Sequence, residues 1–178
     1  MTRIIAGEWR GHPLPKLTTG SVRPTTDRAR TILFDTLRDV TEFSVLDLYS
    51  GTGALGFEAL SRGASSLVSI DNNRKYIDSQ KEWIQKHTKP FKSYVGDVET
   101  VLPRLQDKYD LIFADPPYAE GLPAEVLNLI ESHSTPDTIL VFESARRSDT
   151  LLESEIYRLV KQKEVAETRI QIYKADKL

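Results

Sequence analysis

Asp115-Pro116-Pro117-Tyr118 sets a carboxylate, two rigid prolines and an aromatic ring directly after an apolar run, Leu111 to Ala114. The run is short, unbroken and bounded by breakers, which is the pattern of a buried strand. Neither proline has an N–H to give a ladder, so the strand must stop and Asp115 falls at its carboxyl end. Open α/β sheets place their ligands at that end. A carboxylate beside a carbonyl held by proline makes two acceptors, which suits a donor with two hydrogens such as the exocyclic amine of a nucleobase. Holding both hydrogens turns the amine's lone pair toward an electrophile, and the carboxylate favours positive charge growing on nitrogen. Tyr118 offers a π-face for a base taken out of its stack. The plainer alternative is a Pro-Pro turn with a solvated acid and a packing aromatic.

A second constellation lies upstream. Asp47-Leu-Tyr-Ser50-Gly51-Thr-Gly53-Ala-Leu-Gly56 follows a strand-like run at 43–48 and opens a helical pattern. Its Gly-x-Gly-x-x-Gly spacing matches the dinucleotide fingerprint, with Asp71 placed 20 residues beyond Gly51 to accept from ribose hydroxyls. An NAD enzyme is therefore a serious rival. Asp47 and Ser50 ahead of the glycines distinguish the two: a pyrophosphate would meet an unwelcome carboxylate there, whereas an ammonium and a sulfonium would be attracted to it. Asp97, after Gly96 and a further strand-like run, takes the same relative place, with Val98 beside it. Acids at four successive strand ends, Asp47, Asp71, Asp97 and Asp115, are more than surface decoration.

These residues need a scaffold, and the chain supplies alternation. Strand patterns fall at 43–48, 66–70, 91–95, 109–114 and 138–142, and helix patterns at 53–62, 73–87, 97–105 and 123–132. Such β/α alternation predicts a mostly parallel sheet with helices on both faces. Tyr157–Val165 and Thr168–Tyr173, with a tight break at Ala166-Glu167, predict an antiparallel hairpin that finishes the sheet. Residues 1–22 stand apart: Ile4-Ile5-Ala6 and Trp9 to Leu14 read as short strands of an arm. Arg23-Pro24-Thr25-Thr26-Asp27 opens a helix, with Thr25 or Thr26 as its N-cap. The first thirty residues carry six cations, Arg3, Arg10, Lys16, Arg23, Arg28 and Arg30, against Glu8 and Asp27. Phosphate contact and a solvated charged edge explain that excess equally well.

Composition bounds the rest. The 178 residues, 39% hydrophobic and 28% charged, suit one soluble globular domain. No run of about 18 apolar residues suggests a membrane span, and no signal peptide is visible. Without cysteine there is no thiolate chemistry and no Cys-bound zinc; His12, His87 and His133 show no metal-ligand spacing and read as surface or packing residues. The cytosol is the default location. A net charge of −2 requires any nucleic-acid surface to be local.

Asp115-Pro-Pro-Tyr118 resembles the Asp/Asn-Pro-Pro-Tyr/Phe motif of S-adenosylmethionine-dependent amino-methyltransferases. The likeness extends to Arg3-Ile-Ile-Ala-Gly7-x-Trp9-Arg-Gly11, Arg23-Pro-Thr-Thr-Asp27-x-x-Arg30, Asp47-x-x-Ser50-Gly-x-Gly53-Ala-Leu-Gly56-x-Glu58-Ala59 and Glu143-Ser144. In that order the motifs resemble the bacterial RsmD family of 16S ribosomal RNA guanine-N2 methyltransferases over nearly the whole chain. The resemblance implies a Rossmann-like class I methyltransferase fold, with a seven-stranded, mostly parallel sheet, a C-terminal antiparallel hairpin and a small N-terminal β arm. It also implies a single domain over residues 1–178, with an arm at 1–22 and a core at 23–178. S-adenosylmethionine is the implied cofactor, held by Arg23, Thr25, Asp47, Ser50, Gly51, Gly53, Asp71, Asn72, Asp97 and Val98. The implied target site is Asp115, Pro116, Pro117 and Tyr118, and Arg3, Arg10, Lys16 and Arg28 are the expected RNA contacts. 16S rRNA or a small-subunit assembly intermediate is the expected partner of a cytoplasmic monomer without metal. Two features depart from the family pattern: Val165-Ala166 in the final hairpin and Asp71-Asn72-Asn73 after the second strand. A DNA adenine-N6 methyltransferase and a non-catalytic RNA-binding protein on the same fold are the alternatives.

Overall fold

The structure is a computed structural model and describes residues 2–15, 26–117, 121–147 and 151–176. Seven strands form one sheet: β1 (Ser44–Leu48), β2 (Ser66–Asp71), β3 (Phe91–Val95), β4 (Tyr109–Ala114), β5 (Ser134–Ala145), β6 (Tyr157–Val165) and β7 (Thr168–Ala175). Their order is β3-β2-β1-β4-β5-β7-β6. The first five in that order run parallel, β7 is antiparallel to β5, and β6 is antiparallel to β7. The strand order reverses between β1 and β4, which opens a crevice beyond their carboxyl ends.

Helices cover both faces, as the alternation predicts. They are α1 (Asp27–Leu37), α2 (Ala54–Ser61), α3 (Arg74–Ile84), α4 (Val98–Val101) and α5 (Ala124–Ser132). Successive strand residues point to opposite faces, so Val45, Leu67, Leu111 and Phe113 join α1 and α2 in one core. Their neighbours Leu46, Val68, Ile112 and Ala114 join α4 and α5 in the other. Thr26 is the N-cap of α1, its hydroxyl accepting from the Ala29 N–H at 3.2 Å.

Three spans differ from the sequence expectation. α3 ends at Ile84, and the N–H groups of Lys86 and His87 turn back to the carbonyls of Trp83 and Ile84, the tighter bonding common at helix ends. The expected helix at 97–105 is α4 followed by a 3₁₀ turn at Leu102–Arg104, where Pro103 removes a donor. β5 begins four residues before the expected 138. Thr135-Pro-Asp reads as a break, yet Ser134 pairs with Tyr109 across a register shift, and the Thr138 hydroxyl accepts from the Thr135 N–H at 2.7 Å.

The arm is also simpler than two strands. One β-bridge, Arg3 to Pro13, closes a turn in which Gly7 and Gly11 take φ of 83° and 86°, a conformation that interrupts a ladder. Two residues of α2 strap this turn down. Glu58 accepts from the Ile5 and Ala6 N–H groups at 2.8 and 3.0 Å and from Arg62 Nε at 2.8 Å. Ser61 Oγ accepts from the Trp9 N–H at 2.9 Å and donates to the Ala6 carbonyl at 2.6 Å. A Cβ on Gly7 would lie 1.9 Å from the Ser61 carbonyl oxygen, so only glycine lets the arm approach so closely. Arg30, counted above among the surface cations, is fully buried: it pairs with Asp27 at 2.8 Å and donates to the Arg3 carbonyl at 2.7 Å. The exposed charge of the first thirty residues is smaller by that residue.

Because Glu58 is buried and accepts three hydrogen bonds, Glu58→Ala should lower the free energy of unfolding by about 3 kcal/mol or more, the scale of breaking one side of a buried ion pair. Urea denaturation measures this. A loss below about 1 kcal/mol would show that the strap contributes no more than a surface pair.

Candidate active site

Strand register brings the predicted acids to one edge. Asp47 on β1 is level with Ser69 on β2 and Phe113 on β4. Asp71 ends β2, Asp115 follows the last residue of β4, and Asp97 stands two residues past β3. Parallel strands all point their carboxyl ends the same way, so an acid that ends one strand joins the field of acids ending the others.

Each acid has a distinct setting. Asp47 is 2% exposed, and its Oδ2 accepts from the Gly56 N–H in the first turn of α2 at 3.1 Å. Asp71 uses one oxygen for the Gly51 N–H and the other for the Asn73 N–H, both at 2.8 Å. Asp71 thus holds the glycine loop from below and keeps a spare lone pair on each oxygen. Asn72 donates from Nδ2 to Asp97 Oδ1 at 3.0 Å, which joins the ends of β2 and β3. Val98 is buried in the core under α4, so its side chain packs inward rather than standing free beside a ligand. Pro116 is buried and Pro117 exposed. Tyr118, Arg23, Thr25 and Lys16 lie outside the described residues.

The loop's geometry depends on glycine and on a residue that the motifs do not include. Gly53 caps α2 in the left-handed conformation, φ 77°, and a Cβ there would lie 2.7 Å from the Phe57 ring. Gly51 differs: a Cβ on it meets nothing within 4 Å, so the space before it is open. Gln80 of α3, fully buried, donates from Nε2 to Ser50 Oγ at 2.9 Å and to the Gly51 carbonyl at 2.8 Å. The signal for Gln80 was available. Tyr76, Ile77, Gln80 and Ile84 share the buried face of α3, and an amide at a core position needs buried partners.

Electrostatics follow from burial and crowding. Burial pushes the Asp47 carboxyl well above the ordinary carboxylate range; the Gly56 N–H opposes this, and the charges of Asp115 and Asp71 add to it. Asp115 is pushed up to about 6 by desolvation, yet the residue remains exposed. Protein crowds it on most sides and water reaches it from one, as for a carboxylate on a cleft floor. Both groups hold a proton more tightly folded than unfolded, so their contribution to stability declines as pH rises. For Asp115 the penalty is absent below about 4, where both states are protonated, and complete above about 6. Asp115→Asn should therefore raise Tm at pH 8, and the gain should vanish near pH 4. Calorimetric scans at the two pH values check it; an equal gain at both would assign the effect to packing.

The histidines are not as scattered as their spacing suggests. His12 and His87 meet, ring centroids 5.4 Å apart, beside Trp9 and Trp83. His133 is buried, its two ring nitrogens 2.8 and 3.0 Å from the carbonyls of Asp107 and Leu102, a packing role. Among the described residues no cluster of His, Cys, Asp and Glu could hold a metal, and no helix is long and apolar enough to cross a membrane.

Comparison with known proteins gives one answer. The family described as "Conserved hypothetical protein 95" matches residues 2–174. Ribosomal RNA small subunit methyltransferase D of Haemophilus influenzae is 29% identical, over 96% of this chain and 92% of its own length. The Escherichia coli protein of the same name is 36% identical, over 74% of this chain and 67% of its own. The solved structure of Escherichia coli yhhF superposes with a TM-score of 0.86 at 27% identity, over 99% of this chain and 98% of that one. With its sheet order, its glycine loop and a family match along almost its whole length, the chain belongs to the RsmD methyltransferase family.

Proposed function

We propose that this protein uses S-adenosylmethionine to methylate N2 of a guanine in 16S ribosomal RNA, acting as a single-domain cytoplasmic monomer on the small subunit or an assembly intermediate. The observation that carries the reading is the convergence of Asp47, Asp71 and Asp115 at three adjacent strand ends around the glycine loop. Such a field attracts an ammonium and a sulfonium and repels the pyrophosphate of a dinucleotide, whose fingerprint the loop otherwise matches. The relatives' names support RNA of the small subunit as the substrate.

The residues fit the cofactor. The open space before Gly51 leaves room for a nucleoside against the backbone, and Asp71 has lone pairs left for ribose hydroxyls. Asn72 and Asp97 extend the same rim toward an adenine amine, above Val98. Ser50 and Gly53 set the loop, and Arg23 and Thr25 are the residues that the family pattern places over it. Bound there, S-adenosylmethionine supplies an electrophilic methyl group carried on sulfur.

The chain's own work falls on the target amine. Asp115 and the Pro116 carbonyl accept its two hydrogens, and Pro116 and Pro117 hold the backbone stiff while they do so. Tyr118 supplies the stacking face for the flipped base. No strong base is needed beforehand, because the nitrogen sheds its proton once it is positively charged. Asp115, raised to about 6, is an acceptor matched to neutral pH. Arg3, Arg10 and Arg28, all exposed, are the cations for RNA phosphates among the described residues; Lys16, outside them, is the fourth expected contact.

Three measurements test the reading. S-adenosylhomocysteine should raise Tm and NAD should not; equal stabilisation would restore the dinucleotide rival. Methyl transfer from labelled cofactor to small-subunit RNA, followed by nucleoside analysis, should yield N2-methylguanine, and N6-methyladenine would assign the adenine chemistry instead. Asp115→Ala should reduce kcat by about 10²-fold or more, the scale of losing one preorganised electrostatic contact, and should weaken cofactor binding by much less, since Asp47 and Asp71 remain. Near-normal turnover would remove Asp115 from the chemistry.

A further inference from the structure

A cleft of about 680 Å³ opens at the far ends of α2 and α3, lined by Glu8, Trp9, His12, Trp83, Lys86 and His87. The cleft lies at the carboxyl end of α3, whose first turn follows Asp71. The walls are aromatic. His87 lies with its ring centroid 4.2 Å from Trp9 and 4.5 Å from Trp83, and His12 extends the row. Phe57 stacks on Trp83 at 4.4 Å and 25°, while the Trp83 indole N–H donates to the Pro13 carbonyl at 2.7 Å. These contacts fix the Trp83 plane before any ligand arrives. Burial, and then the charge of His12, lower the His87 pKa, so that ring is a neutral plane at pH 7.

If the cluster served only to fasten the arm, Trp9 would suffice, since it is 3% exposed. Trp83 and His87 are only half-buried and His12 is exposed, which leaves ring surface facing the cleft. The charges at the rim are also sorted. Lys86 and, on the arm, Arg10 are exposed cations, whereas Glu8 brings an acceptor that repels phosphate and welcomes an N–H. Planar apolar walls, a cation for a phosphate and an acceptor for an amine or imino hydrogen together match one nucleotide.

We propose that this cleft captures a base from a single-stranded stretch of the RNA substrate, stacking it on the Trp83–His87–His12 surface with Lys86 on its phosphate. It rests on the reading of RNA as substrate and adds a second contact outside the amine site. The carboxylate of Glu8 favours a base with a donor edge.

Trp9 and Trp83 are the only two tryptophans in the chain, so emission excited selectively from tryptophan reports on this cleft. A single-stranded RNA hexamer of mixed sequence should quench the emission saturably, and the same sequence as a duplex should not. Lys86→Glu, a change at an exposed position, should weaken the quenching titration about tenfold at unchanged Tm, and His12→Ala should reduce its amplitude. No quenching at RNA concentrations that saturate filter binding, or identical titrations in both variants, would overturn the proposal. Quenching by a proline-rich peptide but not by RNA would also overturn it and assign the cleft to a protein. Methyl transfer is scored separately. Quenching lost with transfer intact removes the cleft and keeps the methyltransferase reading; transfer lost with quenching intact does the reverse.

Discussion

Asp47 is a carboxylate with almost no water around it, one backbone N–H donating to it, and two further acids near enough to raise its pKa. That arrangement opposes folding, because like charges at neighbouring strand ends repel and desolvation penalises each of them. Hydrophobic strands on both sides enforce it: Leu46, Leu48, Ile70 and Ala114 are buried and fix the register that puts the acids together. The core thus supports an electrostatic strain that a cationic ligand would relieve, which is how a binding site differs from a stable surface. Asp71 shows the same economy at shorter range. By holding Gly51 and Asn73 it shapes the loop and, with the lone pairs left over, still faces the space in front of it.

One helix connects this site to the arm. All eight residues of α2 are buried. Its first turn meets Asp47 through Gly56, and its later turns hold the arm through Glu58 and Ser61. A rigid element of about 12 Å therefore spans from the glycine loop to the arm's backbone. α3 runs the same course beside it: Gln80 clamps the loop, and Trp83 one turn later holds the arm at Pro13. Loop and arm are thus tied to the same two helices.

What the sequence made legible was local. Period-two apolar runs, breakers and capping residues are set by neighbours in the chain, so the strand at 109–114, the Thr26 cap and the hairpin turn at Ala166-Glu167 can all be read directly. At Ala166 φ is 53°, a left-handed position that a glycine would adopt more easily; the adjacent Val165 is buried. The positions of Asp47, Asp71 and Asp115 were legible for a different reason, since a parallel sheet turns each strand end into a shared edge. What remained hidden depends on distance along the chain. Glu58 meets Ile5 across 53 residues, and no periodicity carries that pairing. Arg30 looks like any other cation until its burial between Asp27 and the Arg3 carbonyl is seen. His12 and His87, 75 positions apart, share a cleft only because the arm folds over the end of α3.

The placement of charge resolves a conflict inherent in acting on RNA with acids. A net charge of −2 and three carboxylates at one edge would repel a polyanion that approached that edge directly. The exposed cations Arg10 and Lys86 sit on the arm and past the last turn of α3, whose first turn follows Asp71. A nucleobase carries no charge and presents N–H donors, so it gains from the field that its own backbone avoids. On the reading proposed above, cations on the arm and acids at the strand ends divide the work, the first attracting phosphates and the second drawing in an uncharged amine.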